Sequence, residues 1–390
     1  MKEQPWHTDR SRYMAGFACP WKRLLNYHAF GTGLSPDRTS PALSTGIAIH
    51  SSLELLLMAM QQGLALDSAA EVDEVIKDAP NQPVLPDLLP PGDAAETLKD
   101  NRDICRALPH AFARAGIPFL RDSFAVHSIE EELAVQLEAD TSIQFNSRPD
   151  FVLKTLASEK LVVGDFKTAS SFQESREILT YADDVQMMIN SYQVKARYSL
   201  DYYPDYYVII LLKGNKWSAS PFIHAFRREG APPFQKEDWQ PRYYVPTPEG
   251  KKRTLGRAYN KVRVSDHRPV EEWVWEMDSV QCAQQIVILG PFNVVPEKVD
   301  QFWRGLPHSE ASWRRDVEAC KNLWPKWGQQ STQTLLDEWF PRTFNCYTYA
   351  SRCSYYQLCF KGPGWDDPFN NGFAEREPHH TTEPKPEVIK

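Results

Sequence analysis

Gly164-Asp165-Phe166-Lys167-Thr168 closes the apolar run Leu161 to Val163, and Pro149-Asp150 opens the run before it. Side chains alternate along an extended strand, so Asp165 and Lys167 project to one face. A carboxylate pair on neighbouring strands is the donor set that a hard divalent cation such as Mg²⁺ or Mn²⁺ takes. A lysine beside it can orient or deprotonate an attacking water. Upstream, His50 and Glu54 stand four apart in a stretch of good helix formers, on one face with Gly46 a turn earlier. An Asp-x-Lys triplet alone arises by chance in most chains of this size, and an exposed cross-strand ion pair accounts for it. Pro149-Asp150 and the helical histidine give the chemical reading its weight. Glu54 is read either as a member of the site or as a solvated or supporting carboxylate.

The cysteines form a second constellation. Cys346, Cys353 and Cys359 cluster near the end of the chain, and Cys19 lies in Gly16-Phe-Ala-Cys-Pro-Trp-Lys-Arg23. Three clustered thiols with a distant fourth can close one tetrahedral site that joins the chain ends. Their wide spacings lack the Cys-x-x-Cys knuckle of zinc sites, so the residues alone leave zinc and iron comparable. Burial as small apolar side chains is the reading for Cys105, Cys282 and Cys320. A third feature is the basic run Lys251, Lys252, Arg253, Arg257, Lys261 and Arg263, with no acid among them and Tyr259 interleaved. It reads as a surface for nucleic-acid phosphates or as a solvated basic face. The tryptophans at 273, 275, 303, 313, 324 and 327 read as core anchors.

Positioning these groups requires a globular frame, and 390 residues with 42% hydrophobic and 24% charged side chains supply one large domain or two ordinary ones. The longest apolar runs, Leu53 to Met60 and Tyr206 to Leu212, are of core length, so no membrane partner is expected. Glu3, His7 and Asp9 stand where a secretory signal needs a basic start and an apolar stretch, so a cytoplasmic setting is expected. In that compartment seven cysteines argue against a disulfide framework. The net charge of -7 says nothing of a polyanionic partner, because an acidic segment from Asp67 to Asp103 offsets the basic run.

The pattern predicts a helix capped near Ser44 and closed near Gly63, then a helical insertion over 64–128. Short β-rich runs at 132–138, 142–145, 149–153 and 160–167 predict an antiparallel meander ending in a buried strand. A helix over 184–199 and a buried strand over 206–212 complete an α/β core around a mixed sheet flanked by helices. Beyond Lys213 the pattern weakens: 217–227 and 273–275 read as strands, 299–323 as helices, 213–340 as a C-terminal extension, and 372–390 as a mobile tail.

In order, Gly46-Ile-Ala-Ile-His50-Ser-Ser-Leu-Glu54, Arg148-Pro-Asp150, Gly164-Asp-Phe-Lys-Thr168 and Asp184-Val-Gln186 resemble the RecB-like branch of the PD-(D/E)XK nucleases. The resemblance implies a restriction-endonuclease-like core and a metal-dependent DNA exonuclease of recombination, repair or phage DNA processing. Carried over by position, His50, Asp150, Asp165 and the carbonyl of Phe166 look like metal ligands, Lys167 like the catalytic lysine, and Gln186 like the start of a Gln-x-x-x-Tyr motif. The chain has Asn190 where that motif has an aromatic, with Tyr192 two residues on as a possible substitute. The AddB nuclease domain and the iron-sulfur nucleases of CRISPR adaptation also carry one cysteine before the core and three after it. By that likeness Cys19, Cys346, Cys353 and Cys359 look like ligands of a [4Fe-4S] cluster, with zinc the lesser alternative. A single nuclease domain over 1–371 follows, with DNA ends as substrate and a recombinase or helicase as partner. The alternative from another class is a weakly catalytic or non-catalytic DNA-end-binding partner in recombination or CRISPR adaptation.

Overall fold

The computed structural model describes residues 6–36, 41–79, 91–137, 140–169, 177–178, 180–181, 184–213, 244–246, 252–254, 269–276, 279–343, 346–348, 351–378 and 380. Strand β1 (Trp6–Asp9) leads into helices α1 (Arg10–Ala18) and α2 (Pro20–Tyr27), strand β2 (Leu34–Pro36) and the long helix α3 (Pro41–Gln61). Helices α4 (Ala69–Ile76), α5 (Pro91–Ala111) and α6 (Ile117–Ser123) precede β3 (Phe124–Ile129), β4 (Leu133–Leu137), β5 (Asp140–Ser147), β6 (Phe151–Thr155) and β7 (Leu161–Ala169). Helix α7 (Val185–Arg197) and β8 (Tyr206–Leu212) follow, then β9 (Tyr244–Pro246), β10 (Lys252–Thr254), α8 (Val270–Glu276), α9 (Ser279–Ala283) and β11 (Ile286–Phe292). The chain continues through α10 (Pro296–Cys320), α11 (Gln330–Trp339), β12 (Tyr347–Thr348), β13 (Ser351–Arg352), α12 (Tyr356–Cys359) and β14 (Phe373–Glu375).

The centre is a five-stranded sheet in the order β11-β8-β7-β6-β3. It is mixed: β7 and β8 run parallel, and the other neighbours are antiparallel. A parallel pair needs a crossover, and α7 lies on the path between β7 and β8. Strand β7 sits mid-sheet, and its residues Leu161 to Phe166 are buried. Alternation sorts them: Val162 and Phe166 join a core with Ile49, Leu53 and Leu56 of α3, while Leu161 and Val163 join one with Met187 and Val194 of α7. The mixed α/β architecture flanked by helices is thus as the sequence pattern has it.

Four expectations change. The meander divides: β6 and β7 stay in the central sheet, whereas β4 and β5 form a second sheet with β1, which pairs parallel to β5. The cause is where β5 buries its apolar face, since Ile143 and Phe145 pack with Ile189 of α7 and Trp303 and Leu306 of α10. The segment 64–128 is not all helical, because its last residues enter β3 and pair with β6. Trp273 and Trp275 lie in α8 rather than in a strand, with Val270 and Val274 buried at a helical spacing of four. The start of the expected tail is held: β14 pairs with β2, Phe373 stacks on Tyr355 at 5.7 Å, and His380 is buried. The predicted strand over 217–227 lies outside the described residues.

Helix α3 begins at Pro41, so Ser44 lies inside it. Over Leu43–Gln61 it is long and apolar enough to cross a membrane by length and composition, although no unbroken apolar run in it has that length. Its Ile49, Leu53, Leu56 and Leu57 are fully buried in the core with residues of α5 and β7.

The N-terminal helices are joined to α10 by an ion pair with no exposure at either side chain, in which Arg23 Nη1 and Nη2 donate to Glu310 Oε1 and Oε2 at 2.9 and 2.6 Å. Trp6 Nε1 donates to the same carboxylate at 3.1 Å, and the guanidinium lies 4.3 Å from the Trp313 ring. Glu310→Ala would strand a buried cation, so denaturant unfolding should show a loss of about 3–5 kcal/mol. Arg23→Met combined with Glu310→Leu should recover most of it, because no charge is then left unpaired.

Candidate active site

At the end of β7 the chain carries its polar residues out of the core into a cleft of about 790 Å³. Gly164 makes this possible, since a side chain there would meet the Phe151 ring of β6 at 1.7 Å. That ring instead packs on Phe166 and closes the apolar side beneath the site. From α3, Gly46, His50 and Glu54 line the cleft at intervals of four. Asp150 stands just before β6, and Phe166, Lys167 and Thr168 line the cleft from β7. Gln186, in the first turn of α7, completes it. The cap of that helix places it, because Asp184 Oδ1 accepts from the Gln186 backbone N–H at 2.7 Å.

Contacts among these residues are direct. Lys167 Nζ meets Asp165 Oδ2 in an ion pair and donates to Gln186 Oε1 at 3.2 Å. Gln186 Nε2 donates to Asp165 Oδ1 at 2.8 Å, so lysine, glutamine and aspartate form a closed triangle. Asp150 Oδ2 accepts from the Phe166 N–H at 2.5 Å and lies 3.6 Å from His50 Nδ1. The expected sharing of one face by Asp165 and Lys167 is therefore met, with Phe166 turned to the core between them.

Burial sets the electrostatics. It pushes Asp150 up to about 7, opposed by Lys167, and pushes Asp165 up to about 6, reinforced by Asp150. Burial lowers His50 to about 4, opposed by Asp165, which leaves a neutral imidazole able to donate a lone pair. Glu54 is also raised by burial. Crowded carboxylates with too little positive charge, beside a neutral imidazole, are a donor set that fits a hard divalent cation. Among the described residues no group of three or more His, Cys, Asp or Glu side chains, here or at the cysteines, is drawn close enough to hold an ion.

The raised carboxylates give a prediction whose sign is fixed. A native pKa above the unfolded value contributes stability that is lost as pH rises, here across the window from about 4 to about 7 for Asp165 and Asp150. His50 acts oppositely as pH falls from about 6.5 to about 4, but one imidazole opposes two carboxylates. Mg²⁺ binds only the ionised carboxylates, so it should raise the thermal midpoint more at pH 8 than at pH 5. Equal shifts at both pH values would remove these groups from any metal site.

Two residues not singled out as site residues also line the cleft, Glu130 and Arg148. Glu130 takes a left-handed backbone at φ +48°, donates its N–H to the Asp150 carbonyl at 3.1 Å, and accepts from Arg148 Nε at 2.7 Å. The signals were an acidic triplet, Glu130 to Glu132, ahead of a strand, and an arginine adjoining Pro149-Asp150. Tyr192 is a correction. It stacks on Trp303 at 4.1 Å in the core beneath β5, pointed there by its place two residues beyond the cleft-facing Asn190. Asn190 is buried and donates to Tyr206 Oη at 3.5 Å. Of the basic run, only the backbone of Lys252 and Arg253 is described, in β10; Lys251, Arg257, Lys261 and Arg263 lie outside the described residues.

A second, smaller cavity of about 40 Å³ brings Cys19, Cys346, Cys353 and Cys359 together, with Lys22 and Arg342 also in its lining. Cys19 occupies the extended break between α1 and α2. Cys346 and Cys353 flank the β12-β13 hairpin, joined by the Cys353 N–H donating to the Cys346 carbonyl at 2.8 Å, and Cys359 ends α12. Thr343 Oγ1 donates to the Ala18 carbonyl at 2.7 Å and fastens the two chain segments. Burial raises the Cys346 thiol, and it pushes Cys359 up to about 12, with the neighbouring thiols adding to both. All seven cysteines are free thiols, and Cys105, Cys282 and Cys320 are buried, as their reading has it. In comparisons with known proteins, no family model and no curated protein matches the chain.

Proposed function

We propose that the chain is a metal-dependent deoxyribonuclease of the RecB-like PD-(D/E)XK type, with a restriction-endonuclease-like core, that removes nucleotides from DNA ends. The observation that carries the reading is the convergence of His50, Asp150, Lys167 and Gln186 on one cleft, from three elements and the turn before β6, with Asp165 bonded to Lys167 and Gln186 beneath them. A structural ion pair would need Asp165 and Lys167 only. It gives no reason for a neutral histidine and a second buried carboxylate to face them.

In this reading His50, Asp150, Asp165 and the Phe166 carbonyl would hold one or two Mg²⁺ or Mn²⁺ ions, which supply charge neutralisation at the scissile phosphate and a more acidic water. Lys167 directs its ammonium at the attacked phosphate, where it orients water and offsets the negative charge that builds in the transition state. Gln186 holds the amine through Oε1 and Asp165 through Nε2, so the pair keeps its direction when substrate enters. The aromatic of the family motif is replaced by Asn190, which leaves Gln186 as that motif's contribution to the cleft.

The four cysteines that line one cavity would be the ligands of a structural [4Fe-4S] cluster tying α1 to the C-terminal segment. DNA recombination, repair or phage DNA processing in the cytoplasm, with a recombinase or helicase beside it, is the setting that suits such an enzyme. The test is a time course on linear duplex and single-stranded DNA labelled at the 5′ or 3′ end, with Mg²⁺ or Mn²⁺. Mononucleotide or short products that vanish with chelator are expected; tight binding with no cleavage under either metal would assign the chain to the DNA-end-binding class.

A further inference from the structure

Two arginines in the cleft wall have no part in the chemistry above. Arg148 is half-exposed and is held through Nε by Glu130, which leaves its two terminal NH₂ groups outside that bond. Arg10, first residue of α1, reaches Asp184 Oδ1 with Nη2 at 3.4 Å, and its Nε is buried without a hydrogen-bond partner among the described residues. Its side chain is nonetheless 39% exposed and lines the cleft, so the guanidinium presents a face to an anionic ligand there.

The contacts order the two arginines relative to the catalytic groups. Arg148 bonds the Glu130 carboxylate, and the Glu130 N–H donates to the Asp150 carbonyl at 3.1 Å. Asp150 accepts from Phe166 beside Asp165, Asp165 bonds Gln186, and the Gln186 N–H shares Asp184 with Arg10. The arginines thus terminate a chain of contacts that runs through the reacting centre, with carboxylates between them. A polyanion entering a cleft lined by Glu54, Glu130 and Asp150 needs fixed cations, and Lys167 is already engaged by Asp165 and Gln186. A guanidinium matches phosphate in a forked geometry, and each carboxylate tether fixes its direction in advance.

We propose that Arg148 and Arg10 bind the backbone phosphates on opposite sides of the scissile one, Arg148 on the side of Asp150 and Arg10 on the side of Gln186. The proposal rests on the nuclease reading and deepens it by specifying how the strand is held. Full-length protein with Ca²⁺ would be titrated with a single-stranded oligonucleotide, and with a set of strands each carrying one neutral methylphosphonate. Arg148→Gln and Arg10→Gln should each weaken binding to the all-phosphate strand by on the order of tenfold. Each loss should disappear on one methylphosphonate strand, at positions on opposite sides of the bond that is cut with Mg²⁺.

Arg148→Lys and Arg10→Lys, which keep the charge without the fork, should recover part of the affinity and couple to the same positions. Losses that persist equally on every strand, or that both map to one position, would overturn the assignment and leave the arginines as structural ion pairs. If the native protein cuts DNA and the coupling is absent, only this assignment falls; if it neither binds nor cuts DNA, the nuclease reading falls with it.

Discussion

Lys167→Ala is expected to fold, to bind DNA, and to lose cleavage by roughly a hundred- to thousandfold, the range for removing one positioned charge at a reacting oxyanion. The geometry explains why the loss should fall on turnover. Lys167 touches Asp165 on its own strand and Gln186 at the start of α7, so its loss removes one hydrogen bond between β7 and α7, while the apolar packing of Val163 with Met187 and Val194 stays in place. Removing it leaves Asp165 buried without its cation, which drives that carboxyl further above its already raised value of about 6. The variant should therefore match native stability at mildly acid pH and fall behind as pH rises, since a raised carboxyl loses its contribution in that direction. Lys167→Arg, with a planar and larger head, should restore the charge but not the contact with Gln186, and so recover little activity. Single-turnover cleavage with Mg²⁺ and with Mn²⁺, beside thermal unfolding at two pH values, separates these effects. Near-native turnover of Lys167→Ala with Mn²⁺ would end the assignment.

How much of this site was open to reading follows from the range of each signal. Asp165 and Lys167 are two apart on one strand, and His50 and Glu54 four apart on one helix, so local periodicity gives their shared faces directly. Asp150 and Gln186 needed order along the chain, which a motif carries. Glu130 and Arg148 were hidden because their place depends on a left-handed turn after β3 and on a pairing across the cleft, neither of which leaves a periodic trace. Tyr192 shows the converse: an aromatic near the right position was offered for the site, yet the Trp303 face available beneath β5 decided its direction. Fold elements divide the same way. Strands β6 to β8 and helix α7 were legible because they are central and locally patterned. The split of the meander was not, because it depends on α10, more than a hundred residues downstream, supplying the apolar surface that β5 covers. The edge strand β11 has no such signal either, since three half-buried residues, a buried Leu289 and an exposed Gly290-Pro291 give no alternation of a strand with one wet face.

If the four cysteines hold the proposed cluster, Cys346→Ser should cost the protein iron, broad visible absorbance and much of its stability together. The four cysteines are far apart in sequence and meet only in the folded chain, through the break after α1, the β12-β13 hairpin and α12. Metal bound by groups that are gathered only on folding contributes its binding energy to folding, on the order of 10 kcal/mol for a four-ligand thiolate site. Losing one ligand should remove a large share of that, so a fall in thermal midpoint of about 10 °C or more is expected. Without a metal the pocket has little to favour thiolates: burial raises Cys346 and Cys359, the thiols raise one another, and Arg342 is the cation that opposes this at Cys359. Bound metal reverses the balance, because it deprotonates thiols outright. Cys282→Ala is the control, since that buried thiol lies beside Arg114 and the Val274 carbonyl, in the core of the central sheet, and should leave iron content unchanged. Protein purified without oxygen and found colourless, with zinc in place of iron, would overturn the cluster while keeping the four-cysteine site. Full stability of Cys346→Ser with no metal bound in the native protein would overturn both, and the junction of the N-terminal helices with the C-terminal segment would then rest on contacts such as Thr343 with Ala18, Tyr355 with Asn26, the β2-β14 pairing and the aromatic core around Trp21.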